Sequence, residues 1–198
     1  MSTVLLWMFV SYLIGSLPTG YLVVRLKKGI DIRTVGSGSI GATNVRRVLG
    51  KGWAVFVTAV DMFKGALALL LAAHAETTSP TLVSLAAFAA VMVHNYPVWL
   101  KFRGGKGVAT TYGTMFFVWP FYSFAIVLMC GAIWYGVMAT SRYVSLASMV
   151  SLVMLPVFFW MLGSPWQFTL LALALALLSI FRHRSNISRL LQGQENAV

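Results

Sequence analysis

Acidic residues are nearly absent: the 198-residue chain has 4 Asp+Glu against 15 Lys+Arg, and all charged residues together make up 10%. A soluble domain carries about 25% charged residues, so a solvated globule is excluded. A highly charged disordered chain is excluded on the same ground. A single cysteine, Cys130, rules out an intrachain disulfide scaffold and a cysteine-based metal site. It stands in an apolar run and reads as a packed small side chain. The acids are too few and too scattered for a carboxylate metal site, and no cofactor is expected. What the chain has in excess is apolar surface, 59% of its residues. That composition points to an all-α, polytopic membrane protein. No basic segment precedes Val4, no small-residue cleavage site follows, and the apolar run continues to Val24, so the N-terminus reads as a first span rather than a removed signal.

A span needs about 20 mainly apolar residues. Residues 3–24, 53–73, 81–100, 121–139, 144–162 and 166–181 qualify, the last being short but purely apolar. The uncharged stretch from Gly107 to Ser141, with Trp119-Pro120 near its middle, is long for one helix. Two helices, roughly 108–119 and 121–139, keep Lys106 and Arg142 on one face. The first of them is too short to cross alone and needs the preceding loop to dip into protein. Seven spans with the N-terminus outside and the C-terminus cytosolic then place every Lys and Arg but Lys64 in the inner segments 25–52, 101–107, 140–143 and the tail from 182. The outer connections near 74–80, 119–120 and 163–165 hold none. The excess of basic residues is therefore a topology signal under the positive-inside rule, not a nucleic-acid footprint. Nearly every polar residue falls on the inner face, where function is expected.

Four polar clusters lie on that face. The first, Val35-Gly-Ser-Gly-Ser-Ile-Gly-Ala-Thr-Asn-Val-Arg-Arg47, contains G-x-G-x-x-G. A dinucleotide fold also needs a βαβ unit and an acid about 20 residues on. The only acid there is Asp61, inside a span, so that fold is rejected. Glycines before a short helix over 42–50 still suit an anion. A flexible loop with basic anchors for lipid headgroups is the alternative. The second cluster, His94 to Thr110, sets Gly104, Gly105 and Gly107 around Lys106 at the start of a helix. It lacks the spacing of a P-loop but again makes an oxyanion cradle with a point charge. His94 could line a ligand pocket or be a satisfied buried histidine. In the third, Arg142 precedes Ser145 and Ser148, which share one helix face; span serines also serve helix–helix hydrogen bonds. In the fourth, His183 and Asn186 share the end of the last helix, where both could bind a hydroxyl or phosphate or simply form a basic stop. Asp61 and Lys64, mid-span and three apart, are functional or mutually paired.

The ordered patterns G-S-G-x-x-G-A-T-N at 36–44, H-x-x-P with R-G-G-K-G-V-A-T at 94–110, R-Y-V-S-L-A-S at 142–148 and R-H-R-x-N-I at 182–187 resemble the PlsY family of acyl-phosphate:glycerol-3-phosphate acyltransferases. The likeness runs over nearly the whole chain. It implies one transmembrane acyltransferase domain, 1–198, in the bacterial inner membrane, with its active site facing the cytosol. The substrates would be acyl phosphate and glycerol 3-phosphate, and the products lysophosphatidate and inorganic phosphate. No cofactor, nucleic acid or obligate protein partner is implied beyond the lipid bilayer. The matched positions are Ser37, Gly38, Asn44, Arg47, Lys106, Ser148, His183 and Asn186. Ser39, Gly41, Thr43, Gly104, Gly105, Gly107, Arg142 and Ser145 join them as candidate substrate contacts. The chain departs from the family pattern at Ser39, where asparagine is usual, and at Arg103, where lysine is usual.

An acyl phosphate is already activated, so no covalent nucleophile is needed. Neither the G-x-S-x-G elbow nor an H-x-x-x-x-D motif is present. The expectation is catalysis by positioning and charge stabilisation. Lys106 with the 104–107 amides would hold one phosphate, and Arg47 with the 36–41 loop another. His183 would be the base and Asn186 would orient the glycerol, unless a substrate phosphate oxygen takes the proton. No internal repeat of the kind that marks transporters is visible.

Overall fold

The computed structural model describes residues 3–74 and 79–197, and among them there is no strand. The backbone gathers into two compact units, residues 1–114 and 115–198. The first holds α1 (Thr3–Gly15), α2 (Thr19–Lys28), α3 (Ala42–Leu49), α4 (Lys51–His74) and α5 (Pro80–Asn95). A short α6 (Val108–Met115) begins in the first unit and ends at the boundary. The second unit holds α7 (Tyr122–Ser141), α8 (Val144–Met161), α9 (Trp166–Arg182) and α10 (Arg184–Leu191).

Among the described residues, five helical segments are long and apolar enough to cross a membrane: Leu5–Lys28, Lys51–Leu71, Pro80–Leu100, Tyr122–Ser141 and Val144–Met161. The bent pair α9–α10 makes a sixth if it counts as one span. The six long apolar runs of the sequence thus all form helices. The segment expected at 108–119 forms only the eight residues of α6, about 12 Å at 1.5 Å per residue. The expected connection at 74–80 lies largely outside the described residues. Phe9, Phe63, Phe124, Leu128, Trp160 and Leu177 are exposed on their helices, as side chains facing lipid would be.

In the first unit α1 packs on α4 and α5, and α4 on α3 and α5. A Cβ at Gly15 would overlap the Ala90 carbonyl, so the α1–α5 crossing requires a residue with no side chain. The first span is broken where the sequence reads as continuous. Pro18 has no N–H to donate, and the chain restarts at Thr19. The break frees the Leu17 carbonyl, which Lys64 Nζ takes at 2.7 Å. Trp99 Nε1 donates to Ser16 Oγ at the same break. Val24, Ile32, Ile40, Val45 and Val57 form a buried cluster under α2, α3 and the loop between them. In the second unit α7, α8 and α9 pack in chain order.

Candidate active site

The first polar loop is shaped by its own side chains. Gly29 ends α2 with φ +70°. Asp31 then caps a 3₁₀ turn over Ile32–Thr34 by accepting from the Arg33 N–H. The Arg33 guanidinium pairs with the Asp31 carboxylate at 2.6 Å, and that hydrogen bond holds the Asp31 carboxyl below its ordinary value. Arg33 Nη1 also donates to the Leu100 carbonyl at 2.8 Å. The first polar loop is thereby tied to the segment leading into the second.

Asn44 organises the rest of the loop. Its Nδ2 donates to the carbonyls of Ile32, Val35 and Ser39 at 3.2, 3.0 and 2.9 Å. Its Oδ1 accepts from the Ser37 N–H at 3.0 Å. The side chain is buried and its hydrogen-bonding capacity is used by backbone. Gly36 sits against it at φ +60°, where a Cβ would overlap Asn44 Oδ1. Ser39 Oγ accepts from the Gly41 N–H. What is exposed is Ser37 and Gly38 in the loop and Arg46 and Arg47 in α3, with Thr43 at the start of α3 half-buried. An exposed loop at a helix start followed by an exposed arginine suits an anion.

The second loop is laid on the turn that ends α5. The Gly104 N–H donates to the Asn95 carbonyl at 3.1 Å and the Gly105 N–H to the His94 carbonyl at 3.0 Å. A Cβ at Gly104 would overlap the His94 carbonyl, and one at Gly105 would overlap His94 Nε2. Gly107, at φ +77°, stands against the Asn95 amide. Two of the loop amides expected to hold phosphate are therefore committed to the chain's own carbonyls. The glycines are required by close packing. Lys106 is half-buried, and α6 opens directly after Gly107.

Under this loop lies a cluster of buried charges. Lys64 Nζ is 2.7 Å from Asp61 Oδ1, and Thr19 Oγ1 donates to the same oxygen at 3.0 Å. Lys64 Nζ also lies 2.9 Å from His94 Nδ1. Of the readings open from the sequence, Asp61 and Lys64 are paired and His94 is a satisfied buried side chain.

In the second unit Arg142 ends α7 with φ +64° and is exposed. Ser148 Oγ donates to the Val144 carbonyl and accepts from Trp134 Nε1, the helix–helix use open to it. His183 stands between α9 and α10, which bend by 59°. Its Nδ1 lies 2.8 Å from the Ser179 carbonyl. A carbonyl only accepts, so Nδ1 carries the proton and, in the neutral ring, Nε2 carries the lone pair.

Glu195 was not anticipated. Its Oε1 accepts from Ser145 Oγ at 3.0 Å and from Asn186 Nδ2 at 2.6 Å, and its Oε2 accepts from Arg189 Nε at 2.8 Å. It brings Ser145 and Asn186 together. Burial pushes its carboxyl up, but the hydrogen bonds from Asn186, Arg189 and Ser145 outweigh burial and hold it below its ordinary 4.5. The available signal was its rarity, as an acid in a basic tail. Among the described residues no group of three or more His, Cys, Asp or Glu is placed to hold a metal ion.

The fold is that of a helical integral membrane protein, with its basic residues, Lys64 apart, gathered between the apolar helices and at their ends. The glycerol-3-phosphate acyltransferase family matches residues 5–193. A glycerol-3-phosphate acyltransferase of Desulforudis audaxviator is 44% identical over 98% of this chain and 94% of its own. One of Gloeobacter violaceus is 46% identical over 93% and 90%. Two crystal structures of PlsY, an integral membrane glycerol 3-phosphate acyltransferase, are similar in fold. The glycerol 3-phosphate form has a TM-score of 0.93 at 38% identity and covers 100% of this chain and 96% of that one. The lysophosphatidic acid form scores 0.90 at 37% identity, over 99% and 95%. The chain belongs to the glycerol-3-phosphate acyltransferase family and is an acyltransferase of the membrane.

Proposed function

We propose that the whole chain, 1–198, is one catalytic domain that moves an acyl group from acyl phosphate to the 1-hydroxyl of glycerol 3-phosphate. The hydroxyl oxygen bonds to the acyl carbon as the bond to the phosphate oxygen breaks. Lysophosphatidate and inorganic phosphate leave, and no acyl-enzyme forms. Glycerol 3-phosphate and lysophosphatidic acid are the ligands of the solved relatives. The chain would cross the bacterial inner membrane seven times, N-terminus outside, and work at the cytosolic face. Supporting this is the threading that gathers every Lys and Arg but Lys64 on one side. No protein partner and no cofactor are required.

Lys106, with the amides opening α6, holds one phosphate. Arg47, with Ser37, Gly38 and the start of α3, holds the other, and Arg142 adds charge. His183 Nε2 takes the hydroxyl proton, and Asn186 and Ser145 orient the glycerol. The observation that carries the catalytic assignment is the 2.8 Å contact between His183 Nδ1 and the Ser179 carbonyl, which puts the proton on Nδ1 and leaves Nε2 as the basic nitrogen of the neutral ring. Purified protein given palmitoyl phosphate and glycerol 3-phosphate should release phosphate with no membrane gradient; no release refutes the reading. His183→Ala should lower kcat by about 10²–10⁴ at an unchanged KM. A raised KM with kcat retained would give the proton to a substrate phosphate instead.

A further inference from the structure

Three polar side chains near the membrane interior serve none of the roles above: Asp61, Lys64 and His94. Each is at most 5% exposed. An ammonium has three N–H bonds and accepts none, and Lys64 Nζ meets three acceptors. These are Asp61 Oδ1 at 2.7 Å, the Leu17 carbonyl at 2.7 Å and His94 Nδ1 at 2.9 Å. His94 Nδ1 must therefore accept, and a neutral imidazole that accepts at Nδ1 carries its proton on Nε2. That ring edge occupies the space a Cβ at residue 105 would need. The backbone of His94 also receives the Gly105 N–H. The loop thus rests on one residue twice, on its carbonyl and on its ring.

We propose that Asp61 and Lys64 position the second phosphate loop by locking His94 as its Nε2–H tautomer, against which Gly105 and hence Lys106 are seated. The inference rests on the reading of that loop as a phosphate holder. Thr19 fixes the far side of Asp61. The break at Pro18 supplies the carbonyl that completes the ammonium shell. Three helices and the loop are therefore set by one buried ion pair. A hydrophobic cluster of the same volume would hold the helices together equally well, but it would leave the ring free to turn.

The test uses the full chain in detergent with ¹⁵N-labelled histidine; there are three histidines, assigned by single His→Gln variants. Wild-type His94 should show the Nε2–H pattern at neutral pH. Asp61→Asn/Lys64→Met removes both charges together, so neither is stranded, and should give a tautomer mixture. It should raise KM at least tenfold for the same phosphate substrate that Lys106→Met affects, with kcat within threefold. Asp61→Asn/Lys64→Gln returns a neutral donor toward Nδ1 and should recover part of that KM; it also tests the idea if the methionine variant folds poorly. An Nδ1–H His94 in the wild type overturns the proposal. So does a paired variant with both KM values unchanged, or one that moves only the KM that Lys106→Met leaves alone. A Lys106→Met enzyme with both KM values unchanged would remove the loop reading instead, and the tautomer pattern would then decide the proposal.

Discussion

Asn44 offers the sharpest separation between holding a loop and holding a substrate. Its amide makes two donated N–H bonds, shared among three carbonyls, and accepts one from Ser37. At about 1 kcal/mol net per bond, Asn44→Ala should cost about 3 kcal/mol. Asn44→Asp, nearly the same in shape, should cost more. It would set a carboxylate among three carbonyl oxygens now at 2.9–3.2 Å from the amide nitrogen. For a chain of this length that corresponds to a melting shift of about 6–12 °C for the alanine variant. The assay is thermal unfolding in detergent, run beside phosphate release. The expected order of stability is wild type, alanine, aspartate, with activity per folded molecule falling in the same order. An aspartate variant as stable as wild type would refute the reasoning. An alanine variant that keeps its stability while its KM rises would make Asn44 a substrate ligand.

The other predictions concern packing and charge. Gly113→Ala places a Cβ on the Met62 carbonyl, so α6 must move off α4, at about 1–3 kcal/mol in the same unfolding assay. Stability should fall in acid through Glu195 and Asp31. Both carboxyls are held below their ordinary values of 4.5 and 3.8. Their contribution is therefore complete above those values and is lost as the pH falls below them. Glu195→Gln should flatten the upper part of that loss and free the C-terminal segment to protease at neutral pH; an unchanged acid profile would contradict the role given to it. Arg33→Met should detach the first loop from Leu100 and remove the Asp31 part of the profile.

The spans were legible because lipid imposes a coarse rule. Residues 81–100 and 144–162 read as apolar runs and form Pro80–Leu100 and Val144–Met161. The break at Pro18 was not read, although proline is visible, because the residues around it are as apolar as a continuous span. It is the Lys64 contact, 47 positions away, that makes the break tolerable. The glycines at 104 and 105 were read as an anion cradle. Close backbone packing and anion binding both call for glycine, and the pattern alone does not separate them; the carbonyls of His94 and Asn95 do. Asp61 and Lys64 were legible as a pair because three residues make one helical turn. His94 joins them from another helix, and Glu195 reaches Ser145 across 50 positions. Neither contact has a local signature.

His94 and His183 show why residue type underdetermines chemistry here. Both are buried, at 5% and 3% exposure, and each stands at the end of a helix, His94 in the last turn of α5 and His183 between α9 and α10. A search for a base by residue type returns both. The neighbour at Nδ1 divides them. A lysine there makes His94 an acceptor at Nδ1 and sends its proton to Nε2, the edge that meets the glycine loop. A carbonyl there makes His183 a donor at Nδ1 and leaves Nε2 as the basic nitrogen. Exchanging those two neighbours would exchange the tautomers without altering either histidine. The catalytic role proposed for His183 and the positioning role proposed for His94 therefore depend on Ser179 and Lys64 as much as on the rings themselves, and neither neighbour lies in the four ordered motifs of the sequence.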